Sequence, residues 1–69
     1  MKLEEIVEHL IKDCEMNIKV AEDGDYITIN YETIKKLEKV KTLEDLLKIF
    51  DKDYILWHFD LNSLEEIKC

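Results

Sequence analysis

Sixty-nine residues and 8.3 kDa make one domain, residues 1–69, with 17 acidic residues against ten lysines and a net charge of −7. An apolar share of 46% is that of a globular chain, yet so short a chain has little apolar surface left to line a deep cavity. The acidity excludes direct binding to nucleic acid, which needs a basic surface. No apolar run approaches the roughly 20 residues of a membrane span, and no basic-then-apolar leader opens the chain. The expected setting is therefore cytoplasmic, with Cys14 and Cys69 reduced; a disulfide between them is the alternative. Arg, Pro and Gln are absent while Lys and Ile abound, the mark of AT-rich codons rather than of selection against guanidinium chemistry.

Residues 1–14 carry the strongest helical period. Leu3, Ile6, Val7, Leu10, Ile11 and Cys14 form one apolar stripe. Glu4 and Glu5 sit in the first turn, where the helix dipole favours them, and Glu8 pairs with Lys12 at i,i+4. Beyond it, Met16 to Val20 and Tyr26 to Tyr31 alternate polar and apolar around Asp23-Gly24, the strongest short hairpin signal. A two-residue turn there pairs Val20 with Ile27, Ile18 with Ile29 and Met16 with Tyr31 on one face, and a slip by one residue would destroy that sorting.

Residues 33–50 are expected to form two helical pieces. Ile34 and Leu37 mark the first. Leu43, Leu46, Leu47 and Phe50 mark the second, opened by a Thr42/Asp45 capping box after a break near Lys41. Tyr54 to Phe59, short and rich in aromatics, reads as a third strand. Its alternation sends Ile55, Trp57 and Phe59 to the core and Tyr54, Leu56 and His58 to the other side. Ser63 with Glu66 is a second capping box, opening a terminal helix with Leu64 and Ile67. The resulting expectation is an α+β two-layer sandwich in the order α-β-β-α-α-β-α, a three-stranded antiparallel sheet with helices on one face.

No chemistry-bearing motif stands out. One Ser, three Thr and two Cys lack a glycine-rich turn to present them, and one Gly cannot cradle phosphate. No HxxH, HExxH or CxxC spacing supports a metal. A calcium loop around Gly24 fails because its twelfth position would be Asn30, where a bidentate Glu is wanted. His9 reads as a solvated residue one turn after Glu5, and His58 as a structural or interface residue among aromatics. The expectation is no enzyme, no catalytic group, no cofactor and no metal.

Charge carries most of the functional content. Residues 32–42, with Lys35, Lys36, Lys39 and Lys41 against Glu32 and Glu38, carry +2, so the remainder carries −9. The candidate binding residues are Glu22, Asp23 and Asp25 at the turn, Asp51 and Asp53 before the third strand, Glu4, Glu5 and Glu8 on the first helix, and Tyr26, Tyr54 and His58 on the open sheet face. Together they describe a small acidic binding module that occupies a basic, nucleic-acid-binding surface of a partner protein, as monomer or homodimer, with no membrane contact. By class this fits phage or plasmid inhibitors, of the anti-CRISPR or of the antitoxin and immunity type. The alternative is an accessory or homo-oligomerisation module using the sheet face, with no mimicry of nucleic acid.

Overall fold

The computed structural model describes residues 1–68. Cys69, and with it the Cys14–Cys69 pairing, lies outside the described residues. Four α-helices and a short 3-10 turn follow in order: α1 (Leu3–Val20), α2 (Gly24–Leu37), α3 (Leu43–Leu47), α4 (Lys52–His58) and the turn Leu64–Glu66.

The expected sheet is absent among the described residues, where the only strand-like pairing is a parallel bridge between Lys2 and Lys68. That bridge ties the two ends together. Leu3 N–H donates to the Lys68 carbonyl at 2.7 Å, Lys68 N–H to the Met1 carbonyl at 2.8 Å, and the Met1 ammonium to the Glu66 carbonyl at 2.9 Å.

The expected β-hairpin is a helical hairpin. α1 continues past Cys14 to Val20, and three residues, 21–23, link it to α2, a connection short enough to make the two helices antiparallel neighbours. Asp23-Gly24 is not a hairpin turn but a helix start: the Asp23 carboxylate caps α2 by accepting from Asp25 N–H at 2.9 Å, and Gly24 is the first helical residue, without positive φ. The register Val20/Ile27, Ile18/Ile29 and Met16/Tyr31 falls with it, and Met16, Val20, Ile29 and Tyr31 are exposed. Thr28 and Thr33 are accommodated inside α2 by hydroxyl bonds to the carbonyls of Gly24 and Ile29, one turn back.

The expected third strand is α4. Ile55 alone of its residues is fully buried, whereas Trp57, expected in the core, is 77% exposed. The helices of 33–50 come closer to expectation. α2 ends at Leu37 and α3 opens on Thr42, whose side chain accepts from Asp45 N–H while the Asp45 carboxylate accepts from Lys41 and Thr42. The terminal helix shrinks to a single 3-10 turn, its start held by the Glu66 carboxylate accepting from the backbone N–H groups of Asn62 and Ser63.

The core draws on every element. Leu3, Ile6, Leu10 and Cys14 from α1 meet Leu37 from α2, Leu46 from α3, Ile55 from α4 and Ile67 from the C-terminal segment. Val7, Ile11, Ile34, Phe50, Phe59 and Leu61 are among the half-buried side chains packed around them. All these residues lie in α1 up to Cys14 or in the chain from Ile34 onward. The distal half of the hairpin, residues 15–33, buries one side chain, Asn30, and it is polar.

Candidate functional site

α4 and its N-cap carry four of the eleven candidate residues, Asp51, Asp53, Tyr54 and His58. Its N-terminal turn carries Asp51 as cap and Asp53, both exposed. One turn on, Trp57 shares the outer face with Asp53, and Tyr54, 39% exposed, lies beside it with ring centres 6.4 Å apart. The i,i+4 spacing of Phe50, Tyr54 and His58 builds a ladder of rings. Phe50 stacks on Tyr54 at 5.2 Å and 17°, and Tyr54 on His58 at 5.3 Å and 19°. Partial burial, then the charge of Asp13, pushes the Tyr54 phenol above its ordinary pKa, so near neutral pH it is an uncharged donor on a half-apolar surface.

His58 points the other way, toward α1. Its Nε2 lies 3.0 Å from Asp13 Oδ2, and His9 Nε2 approaches the same oxygen at 3.6 Å. His9 and Asp13 are one turn apart on α1, so helix geometry puts them on one flank. Phe59 meets the edges of both imidazoles, with ring centres 5.2 Å from His9 and 4.9 Å from His58. His9 is therefore not simply a solvated residue near Glu5; its partner is Asp13. Directly after Asp13, Cys14 is buried, and burial with the neighbouring Asp13 charge raises its thiol pKa, leaving an unreactive core residue.

The remaining candidates disperse. Glu22, Asp23 and Asp25 lie exposed at the end of the α1–α2 hairpin with Tyr26 on the first turn of α2. Glu4, Glu5 and Glu8 lie along the outside of α1, where Glu8 meets Lys12 at 3.4 Å. Asp51, Asp53, Tyr54 and His58 are brought together; the turn acids and the α1 acids are not part of that group. Tyr26, Tyr54 and His58 do not share a sheet face, because there is no sheet among the described residues.

Two functional signals are hidden in the sequence. Strand alternation sends Trp57 to the core, and the helical period of α4 voids that alternation. The i,i+4 spacing of His9 and Asp13 was visible on a helix already recognised, but its third member, His58, arrives only through tertiary packing. A groove of about 890 Å³ on the opposite flank of α1 is floored by Val7, Ile11, Leu37 and Val40, with the Glu8–Lys12 pair at its lip. Its charges are mixed, so it selects no partner by sign. The chain matches no protein-family model, no curated protein and no solved structure.

Proposed function

We propose that the protein is a non-enzymatic binding module of the cytoplasm that docks the Trp57–Tyr54 face of α4 onto a basic, partly apolar surface of another protein. The observation that carries this reading is the 77% exposure of Trp57 in a chain whose fully buried core is only Ile and Leu. Among the described residues Trp57 is the most exposed of the large apolar side chains, ahead of Val20 at 73% and Met16 at 66%, and Trp and Tyr are the residues that most often anchor interfaces. Asp51 and Asp53 flank the two rings, and the net charge of −7 supplies long-range attraction to a basic partner. This keeps the acidic, partner-occupying function expected from composition and, of the acidic groups expected to carry it, centres on Asp51 and Asp53 with α4 rather than on the α1–α2 turn. Competition with nucleic acid for the partner's surface follows where that surface normally binds phosphate.

The test compares tagged wild type, Trp57→Ala, and Asp51→Asn with Asp53→Asn as capture reagents at low and moderate salt. Capture of a basic protein that is lost in Trp57→Ala and weakened by salt and by the paired Asn changes supports the reading. Equal capture by Trp57→Ala overturns it. So does a salt-insensitive homodimer that Trp57→Ala dissolves, because the face would then be occupied by a second copy.

A further inference from the structure

We propose that His9, Asp13 and His58 form a three-ligand site for a divalent transition-metal ion of the zinc class, clamping α4 to α1. The proposal stands on the geometry of the three groups and is independent of the docking function.

The three ligand atoms all lie within 4.8 Å of one another, with Asp13 Oδ2 3.0 Å from His58 Nε2 and 3.6 Å from His9 Nε2. An ion with bonds of about 2.0–2.1 Å in tetrahedral geometry holds its ligand atoms about 3.4 Å apart and two coordinated imidazole centres about 5.2 Å apart. The ring centres of His9 and His58 are 5.5 Å apart. The two rings are therefore close to the separation a common ion requires, and a small shift of exposed side chains brings the ligand atoms to bonding distance.

The donor set chooses the ion. Two imidazole nitrogens and one carboxylate oxygen suit zinc, cobalt, nickel, copper or iron, whereas calcium and magnesium want a shell of oxygens. Three protein ligands leave a position open to water, the arrangement of accessible rather than closed sites. Exposure agrees: the side chains of His9, Asp13 and His58 are 54%, 41% and 23% accessible. Phe59 against both imidazoles and Tyr54 stacked on His58 restrict the two rings. Two of the ligands come from one turn of α1 and the third from a seven-residue helix that fully buries only Ile55. An ion there joins residues 45 positions apart in the chain and stabilises the docked position of α4 by mass action.

The test titrates ZnCl₂ and CoCl₂ separately into the full chain carrying Cys69→Ser, which removes the C-terminal thiol as a competing ligand. The expected result is one ion per chain, a rise in Tm of several degrees with zinc, and visible cobalt bands with quenching of Trp57, whose ring lies 6.2 Å from His58. His9→Gln, Asp13→Asn and His58→Gln should each weaken binding by at least about tenfold, the lower end of what even outer-shell changes cost. His9→Gln is the decisive variant, because that side chain is 54% accessible and its loss should leave the circular dichroism spectrum unchanged. An unchanged Tm at tenfold molar excess of zinc overturns the proposal and leaves Asp13 as a plain hydrogen-bond partner of His58 with His9 beside it. Equal binding by His9→Gln overturns it by placing the ion elsewhere. A matching response to MgCl₂ also overturns it, since diffuse carboxylate charge would then suffice.

Discussion

Gly24 shows how one residue's meaning changes with its element. In a two-residue β-turn it would need positive φ, and a side chain there would strain the backbone. As the first residue of α2 it has ordinary helical φ, and a Cβ built on it meets nothing within 4 Å. Gly24→Ala should therefore stabilise the protein by about 0.4–1 kcal/mol, chiefly by restricting the unfolded chain, read as a rise in the urea midpoint at constant slope. The residue that does need left-handed backbone is Asp60, at φ 54°. It follows α4, where Leu61 N–H donates to the Leu56 carbonyl and Asp60 N–H to the Trp57 carbonyl, the double bond pattern that closes helices on a left-handed residue. Asp60→Gly should add up to about 1 kcal/mol by removing the Cβ penalty; a loss of stability would show that the Asp60 carboxylate contributes more than its backbone costs. Trp57→Ala, read from strand alternation as a core deletion costing about 3–5 kcal/mol, should instead change stability by no more than about 0.5 kcal/mol, as exposed positions do. A native fluorescence maximum typical of solvent-exposed indole checks the same point.

At the scale of elements, legibility followed the purity of the period. Leu3 to Cys14 repeats at i, i+3 and i+4 without a polar interruption, and that helix was readable. In α2 the inward stripe is Ile27, Asn30, Ile34 and Leu37; the buried Asn breaks the apolar period, and the alternation of Tyr26 to Tyr31 then imitates a strand. Asn30 is tolerated because it donates to the Tyr26 carbonyl at 2.8 Å and accepts from Asn17 of α1 at 3.2 Å. The pattern of α4 failed differently: six residues rich in aromatics are compatible with strand or buried helix, and only the lack of partner strands decides. Cap chemistry, being local, was legible: the Thr42/Asp45 box is where the sequence put it. It also yields a pH prediction. Hydrogen bonds from the Lys41 and Thr42 backbone N–H groups hold the Asp45 carboxyl below its ordinary pKa. A carboxyl depressed in the folded state favours folding above its unfolded pKa, and that contribution disappears as pH falls through the folded value. Asp45→Asn should thus lower stability at neutral pH and flatten the acid limb of the stability curve, measured by urea denaturation from neutral pH to below the ordinary carboxylate range. Parallel curves for the variant and wild type would mean that the box contributes nothing through its charge.

The whole molecule divides into an anchored half and an unanchored one. Ile6, Leu10, Leu37, Leu46 and Ile55 are all but fully buried, and they converge on the proximal part of the α1–α2 hairpin. The distal part, with Met16 at 66%, Val20 at 73% and Ile29 at 58% exposure, has only the Asn17–Asn30 amide contact and half-buried side chains such as Ile18 and Ile27 between its helices. An isolated helix shorter than about 12–15 residues is marginal in water, so the distal turns persist because the proximal turns are held. Native-state amide exchange should show this as a gradient. Amides of residues 16–20 and 27–30 should open at free energies well below those of Ile6 to Cys14 and Leu37, whose opening approaches global unfolding. Ile55→Ala should cost about 2–5 kcal/mol, lowering protection throughout the proximal half, while the distal amides, already near their floor, change least. Protection that is uniform along both helices would require the exposed Met16, Val20 and Ile29 to be covered. If it also rose with protein concentration, the cover would be a second copy of the chain, and the hairpin end would be a homodimer interface instead of a free arm.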